Sequence, residues 1–264
     1  MTPKMKFSVS NIAWDKLDDE AMYLFLKKEE INNLEIAPTR LIKENPYEDI
    51  KKIKEISDTL LKKYNLHICS MQSILYGKTE SLWKAEKEEL KQYIKKAIDF
   101  ASAAGIENIV FGCPKNRIID NTVEITEVVK YFKELGDYAY SKNTILSLEA
   151  NPTIYGTNFI NTTEEAIELA RLVNSQGFKI NLDLGTIIEN QENVQIINSN
   201  ISLINHVHIS MPYLKTIDFQ NKYILEVIKI LVQNNYQKVI SIEMGNQECV
   251  EDVQKTLIKL KELV

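Results

Sequence analysis

The sequence lacks the marks of a secreted protein and of a membrane protein. Its three cysteines, Cys69, Cys113 and Cys249, are widely spaced and odd in number, so they indicate neither a disulfide framework nor a zinc knuckle. No apolar run approaches the roughly 20 residues of a membrane-spanning helix. The opening MTPKMKFSVSNIAW has neither the apolar segment nor the cleavage site of a signal peptide. We therefore expect a cytoplasmic protein with no membrane partner.

A surplus of positive charge is also missing. The chain has 32 Lys and Arg against 37 Asp and Glu, for a formal net charge of −5. Lysine-rich stretches such as KKIKEISDTLLKK contain acids as well, which is typical of a solvated helix face. Because nucleic-acid binding needs cations that neutralise phosphates, we expect no nucleic-acid partner.

Alternation of two patterns dominates the chain. Short β-branched runs occur at about 6–10, 33–37, 66–70, 108–112, 144–149, 178–183, 206–210 and 239–243. Amphipathic segments separate them, near 18–30, 47–64, 81–104, 123–142, 164–175, 193–202, 219–234 and, at the end, 248–262. The alternation predicts parallel strands joined by helices, and eight such units in about 250 residues match the size of a (β/α)8 TIM barrel. An open doubly wound sheet would usually have a glycine-rich loop after its first strand, and SNIAWD is not one. We predict an α/β chain forming one TIM-barrel domain over residues 1–264.

Four of the later runs have, at or near their end, a residue that can bind a metal ion: Glu149, Asp183, His208 and Glu243. A buried charge costs several kcal/mol unless it is paired or bound to a metal. In a TIM barrel the active site lies at the carboxyl ends of the strands, which are about 4.8 Å apart, so these four side chains can converge. Any one of them alone could be structural. Together they predict a site for one divalent ion, Mn²⁺ in the first place, with Co²⁺, Mg²⁺ and Zn²⁺ as alternatives.

The chain resembles the sugar phosphate isomerase/epimerase family, which has a xylose isomerase-like barrel. The resemblance extends over essentially the whole chain and rests on NLEIAP (33–38), SMQSILYG (70–77), VFGCPKNR (110–117), SLEANPTIYGTNFI (147–160), NLDLGT (181–186), HVHISMPYL (206–214) and SIEMG (241–245). It implies that Glu149, Asp183, His208 and Glu243 bind one divalent ion. Thr186 stands where many relatives have a second metal-binding histidine, which argues against the multi-zinc site of the related DNA-repair endonucleases. Met211-Pro212 stands where an acid is common.

This arrangement suggests proton transfer next to a carbonyl. An α-hydroxy ketone or aldehyde can chelate a metal ion, which then stabilises an enediolate as a Lewis acid. We expect Glu149 and Glu243 to be the catalytic residues that remove and return the proton, the role that the matching pair has in related keto-sugar epimerases. Return to the same face would favour isomerisation, and two bases on opposite faces would favour epimerisation. The sequence leaves both outcomes open.

Six further residues are candidates for substrate binding. Glu35 and Gln72 end the second and third runs, while Asn151 and Tyr155 follow Glu149. Lys115, in the loop CPKNR with Asn116 and Arg117, could hold a phosphate or a sugar hydroxyl or could simply be solvated. Trp14 could form an apolar wall against the sugar or belong to the core. We interpret His206, two residues before His208, as a core residue or a support for the metal site, and His67 as structural.

Two other functions remain open from the sequence. A metal-assisted lyase or dehydratase acting on a keto-sugar or keto-inositol would begin with the same proton removal. A non-catalytic binding or partner subunit would have a degenerate site, although all four ligand positions are occupied by suitable residues. An exposed face of the barrel would also allow a homodimer.

Overall fold

The computed structural model describes residues 5–264, and its centre is a parallel eight-stranded barrel. The strands are β1 (Lys6–Val9), β2 (Asn33–Ile36), β3 (His67–Met71), β4 (Asn108–Phe111), β5 (Ile145–Glu149), β6 (Phe178–Asp183), β7 (Ile204–Ile209) and β8 (Val239–Ile242). Consecutive strands from β2 to β8 are paired, and β1 pairs with β8. The predicted TIM barrel is therefore confirmed.

A single parallel bridge closes the barrel between its first two strands. Ser10 pairs with Glu35, and the backbone N–H of Asn11 donates to the carbonyl oxygen of Glu35 at 2.9 Å. The side chain of Asn11 in turn accepts a hydrogen bond from the backbone N–H of Ala37 at 2.9 Å. These contacts hold the ends of β1 and β2 together, so that all eight strand ends surround one mouth.

Helices cover the outside of the barrel between successive strands. They are α1 (Asp19–Lys28), α2 (Pro38–Leu41), α3 (Ile50–Tyr64), α4 (Lys87–Ala104), α5 (Ile125–Ser141), α6 (Thr163–Val173), α7 (Leu184–Asn190), α8 (Lys222–Gln233) and α9 (Val250–Leu263). Local signals explain several boundaries. Thr162 and Glu165 form a capping box at the start of α6, and Gly105, with a φ of 72°, ends α4.

Three helical segments differ from the sequence prediction, and the shortest of them, α2 (Pro38–Leu41), lies where no helix was predicted. Helix α4 begins at Lys87 rather than near residue 81, because the preceding segment is bound to the loop after β4. There the N–H of Leu82 donates to the carbonyl oxygen of Asn116, and the indole of Trp83 donates to that of Arg117. Helix α7 was not predicted. It begins directly after β6, where the Asp183 side chain caps it, and residues 194–203 then form a 3-10 helix.

Between sheet and helices lies an apolar layer that fixes the position of the strands. Phe132 on α5 is fully buried and packs against Phe111 of β4 and Phe178 of β6, with ring centroids 5.4 and 5.1 Å apart. Such aromatic contacts add to the stabilisation from buried area. They anchor the strands from which the residues of the mouth project.

Candidate metal centre and active site

Four ionisable side chains meet at the carboxyl ends of β5 to β8. Glu149 ends β5, Asp183 ends β6, His208 lies near the end of β7, and Glu243 follows β8 directly. One ligand atom from each lies within 4.8 Å of the others. All four residues are buried, and none is more than 9% exposed. The strand register brings this about, since Asp183 pairs with His208 and His208 with Ser241, two residues before Glu243.

The two nitrogens of the His208 imidazole face different carboxylates: Nε2 faces Glu35, and Nδ1 faces Glu149 and Glu243. Its Nε2 lies 3.0 Å from Oε2 of Glu35, deeper in the barrel. Its Nδ1 lies 3.1 Å from Oε2 of Glu149 and 3.1 Å from Oε2 of Glu243, yet makes no hydrogen bond of acceptable geometry within residues 5–264. A buried nitrogen that faces carboxylates without bonding to them fits a metal ligand.

Electrostatics in the cluster favour a cation. Burial disfavours the charged ring of His208, but Glu243 and Glu35 outweigh it and raise the pKa of His208 well above its usual value. Burial, followed by the neighbouring Glu149 and Glu243, raises the pKa of Asp183 to about 7, and burial also raises the pKa of Glu243. The three carboxylates and one imidazole therefore suit a divalent ion, which supplies the positive charge that the cluster otherwise takes up as protons.

Neighbouring polar groups hold each carboxylate in place. Oδ2 of Asp183 accepts hydrogen bonds from the backbone N–H and the hydroxyl of Thr186, at 2.7 and 2.8 Å, and Oδ1 accepts one from Ser210. Thr186 thus orients Asp183, one of the predicted ligands. The amides of Asn151 and Asn181 donate to Glu149 at 2.9 and 2.6 Å.

A cavity of about 450 Å³ opens beside this cluster. Three candidate residues, Gln72, Lys115 and Asn151, line it together with Glu149 and Glu243. The remainder of its lining is Ser73, Leu75, Tyr76, Gly77, Lys78, Thr79, Val110, Gly112, Cys113, Pro114 and Asn116. The cavity thus combines an apolar wall with polar groups at its base and rim, as small-molecule sites do.

Three other candidates do not line the cavity. Glu35 is fully buried beneath His208, because its carboxylate is drawn to the imidazoles inside the barrel. Trp14 belongs to the core, and its indole N–H donates to Asp19 at 2.9 Å. Tyr155 is half-buried, and its hydroxyl accepts the backbone N–H of Tyr213 at 2.8 Å, so it braces the loop after β7.

Arg117 is not available for a phosphate. It is fully buried, and its guanidinium donates to the backbone carbonyl oxygens of Glu149 and Ile160 at 2.7 and 3.0 Å. Burial lowers its pKa to about 10. Arg117 therefore fastens the end of β5, whereas Lys115 in the same loop is exposed at the cavity rim.

Sequence reasoning missed Asn181 and Ser210, which contact two of the proposed ligands. Asn181 lies two residues before Asp183 on β6, so its side chain faces the same side of the sheet. That period of two was the available signal for Asn181. Ser210 follows the end of β7, where no pattern distinguishes it from an ordinary loop serine.

Comparison with known proteins identifies the family. The model of the xylose isomerase-like TIM barrel family matches residues 32–262. The chain belongs to this family. The resemblance drawn from the sequence is confirmed at that level, and a search of curated proteins finds no match.

Solved structures with the same fold cover almost the whole chain. The 3-keto-D-glucoside 4-epimerase of E. coli superposes with a TM-score of 0.75 at 18% identity, over 98% of this chain and 100% of that one. A D-psicose 3-epimerase from Clostridium cellulolyticum H10 has a TM-score of 0.78 at 15% identity, over 98% and 99%. The probable 3-DHS dehydratase of Bacillus anthracis gives 0.71 at 17%, over 97% and 99%. At these identities the likeness establishes the fold. Within residues 5–264, no helix has the length and apolar character needed to cross a membrane.

Proposed function

We propose that the chain is a divalent-metal-dependent isomerase or epimerase of a sugar or sugar phosphate. The observation that carries the proposal is the convergence of Glu149, Asp183, His208 and Glu243 beside a cavity of about 450 Å³. That volume is within the roughly 300–1,000 Å³ typical of small-molecule sites. The epimerases among the structural neighbours agree with the proposal through their fold.

The same four residues are the proposed ligands. Three carboxylates and one imidazole nitrogen suit Mn²⁺, our first expectation, and also Co²⁺, Mg²⁺ or Zn²⁺. Bound there, such an ion would polarise the substrate carbonyl and offset the negative charge that develops beside it. Asp183, which Thr186 and Ser210 hold in place, is proposed to bind the metal ion without taking part in proton transfer.

Glu149 and Glu243 are proposed to transfer the proton. Both border the cavity, so a substrate there can lie against either carboxylate. One accepts the proton from the carbon next to the carbonyl. If the same carboxylate returns it to the former carbonyl carbon, and the hydroxyl proton passes to the other oxygen, the product is an isomer. If the other carboxyl group, protonated beforehand, delivers its own proton to the opposite face of the original carbon, the product is an epimer. Asn151, Asn181 and Gln72 hold the two carboxylates in place beforehand, which lowers the cost of reaching the reactive geometry.

Substrate contacts are proposed for Gln72, Lys115 and Asn151, which line the cavity. The exposed ammonium of Lys115 is placed to meet a phosphate or a distal hydroxyl at the rim. Trp14 is packed in the core and is not proposed to touch the substrate. Tyr155 accepts the backbone N–H of Tyr213, but burial and then the charges of Asp183, Glu243 and Glu149 raise the pKa of its hydroxyl, so it stays a proposed contact beside the cluster.

Solvent deuterium exchange tests the proposal. Protein reloaded with Mn²⁺ is incubated in D₂O with a panel of keto-sugars and their phosphates, and deuterium in the recovered sugar is measured by mass spectrometry. We expect exchange that requires metal and that falls at least about 100-fold in Glu149→Gln and in Glu243→Gln. Circular dichroism should show both variants folded.

Glu168→Gln is the matched control, because Glu168 is an exposed glutamate on the outer helix α6. Full exchange in both site variants would contradict the proposal. A product lighter than the substrate by one water would assign the dehydratase reaction instead.

A further inference from the structure

Glu35 is a fully buried carboxylate inside the barrel. It lies on β2 with 0% exposure. Its ion-pair partners within residues 5–264 are two histidines, His206 and His208, and its Oε1 atom has no hydrogen-bond partner there. Because removing a carboxylate from water costs several kcal/mol, its presence at this depth calls for a role that an apolar residue could not fill.

One oxygen of Glu35 meets both histidines. Its Oε2 lies 3.0 Å from Nε2 of His208 and 3.2 Å from Nε2 of His206. His206 also lies 2.8 Å from Oγ of Ser241, so it has a second partner. Nε2 of His208 is bonded to Glu35 alone in the described part of the chain.

The hydrogen bond from Nε2 to Glu35 therefore holds the ring of His208 from the interior of the barrel. An imidazole carries its two nitrogens on different edges, and the bond made by one decides the direction and protonation of the other. With Nε2–H donating to Glu35, Nδ1 faces Oε2 of Glu149 and Oε2 of Glu243, each 3.1 Å away. Rotation of the ring would break the bond to Glu35 and leave that carboxylate with His206 only.

We infer that Glu35 is a positioning residue of the metal centre, which fixes His208 so that Nδ1 is presented to the ion. The inference rests on the proposed function, since it requires a metal between Glu149, Asp183, His208 and Glu243. It replaces the substrate contact predicted for Glu35 from the sequence, because Glu35 acts through His208 and does not line the cavity.

A second metal ion held by Glu35, His206 and His208 is the competing interpretation. Ligand atoms of these three residues also lie within 4.8 Å of one another. Nε2 of His208 is hydrogen-bonded to Glu35 and Nε2 of His206 to Ser241, whereas Nδ1 of His208, on the side of Glu149 and Glu243, has no such bond in the described part of the chain. The compact hydrogen-bonded arrangement favours positioning, and the metal stoichiometry distinguishes the two.

The test compares zinc binding by Glu35→Gln with that by wild type and by His206→Asn. Zn²⁺ is the probe because it is diamagnetic and accepts both imidazole and carboxylate ligands. Glu35→Gln keeps the size of the side chain and removes its charge. His206→Asn disturbs the same buried cluster but leaves the bond between Glu35 and His208. We expect Glu35→Gln to weaken zinc affinity about 10- to 100-fold, as loss of a histidine's supporting partner does, and His206→Asn, which removes the other partner of Glu35, to weaken it by a smaller factor.

A second readout follows His208 itself. The chain has three histidines, so the imidazole signals of ¹⁵N-histidine-labelled, zinc-loaded protein are few. The Nε2 proton of His208 should resonate far downfield, because it is bonded to a buried carboxylate, and should move upfield in Glu35→Gln, where a neutral amide oxygen accepts a weaker hydrogen bond. A merely structural role of Glu35 would not move this signal selectively.

Glu35→Asp is the second variant, in case Glu35→Gln does not fold. Glu35→Asp keeps the negative charge, but its side chain is one methylene shorter, so the carboxylate lies farther from His208. It should therefore lower zinc affinity and move the Nε2 proton signal of His208 upfield, as Glu35→Gln does. Unchanged affinity and shift in the folded variants would overturn the inference, as would two zinc ions in wild type with one in Glu35→Gln. No zinc in wild type would overturn the proposed metal centre itself, which separates that failure from this one.

Discussion

Gln72 and Glu243 meet across the mouth of the barrel although 171 residues separate them in the chain. The amide Nε2 of Gln72 donates to Oε1 of Glu243 at 2.8 Å and to Oγ of Ser10 at 2.9 Å. A residue after β3 thus orients a carboxylate that follows β8.

Replacing Gln72 by Met should slow turnover more than it weakens metal binding. A hydrogen bond to a charged group contributes about 1.5–3 kcal/mol, which corresponds to roughly a 10- to 100-fold loss in kcat if it is needed to hold Glu243. Steady-state kinetics and isothermal titration with Mn²⁺ measure the two effects. Gln195→Met, which removes an exposed bond to Glu226, is the control. A larger loss in affinity than in kcat would assign Gln72 to the metal site instead.

A methyl group at Gly112 should disturb Glu149. A Cβ added there would lie 3.0 Å from Oε1 of Glu149 and 3.3 Å from Oδ1 of Asn151, so the carboxylate must shift by a few tenths of an ångström. We expect Gly112→Ala to lose about 10-fold or more in kcat, since small misplacements of a reacting group are costly. Urea unfolding should show little loss of stability. At Gly245 a Cβ would make an ordinary contact, 3.4 Å from the carbonyl oxygen of Leu214. Gly245→Ala is therefore the comparison, and equal activity of the two variants would argue against this role for Gly112.

Metal affinity should rise with pH through neutrality, because protons on Asp183 and on the imidazole of His208, whose pKa values are both raised, must leave when the ion binds. The pKa of Asp183, ordinarily 3.8, is raised to about 7 by burial and by the nearby Glu149 and Glu243. A raised pKa in the folded state means that the metal-free protein holds a proton on Asp183 below about pH 7, and a binding ion must displace it. For the same reason this group stabilises the metal-free fold fully below about pH 4, and that contribution is lost as the pH rises through about 7. Calorimetry in buffers of different ionisation enthalpy, on both sides of neutrality, measures the protons released per ion. If the number of protons released per ion does not decrease above neutral pH, the raised pKa assigned to Asp183 is refuted.

Arg117→Met should destabilise the protein and loosen Glu149. The substitution removes the guanidinium donors to the carbonyl oxygens of Glu149 and Ile160, although that of Ile160 keeps the backbone N–H of Asn151. A buried carbonyl left without a donor costs about 1–3 kcal/mol, offset in part by removal of a buried charge. Urea unfolding should therefore show a lower midpoint, and the folded enzyme a lower kcat. Arg171→Met, on the exposed face of α6, loses only a bond to Asn200 and serves as the control. Equal midpoints for the two variants would contradict the role assigned to Arg117.

The order of strands and helices follows from the sequence alone, and so do the positions of Glu149, Asp183, His208 and Glu243 at strand ends. These are local features: a β-branched run ends at a polar residue, and the ends of parallel strands share one edge. Helix boundaries are harder to predict where long-range contacts determine them. Residues 81–86, for example, bind to the loop after β4 and do not extend α4.

The pairing of polar residues inside the barrel, in contrast, depends on the three-dimensional fold. Glu35 and Arg117 were candidates for the pocket by their positions in the chain, yet both are turned into the interior, Glu35 toward His208 and Arg117 toward the carbonyl oxygen of Glu149. Gln72 reaches Glu243 because the barrel closes, not because of any local pattern. A buried charge takes its direction from the partner that offsets its desolvation, and such partners come from distant parts of the sequence.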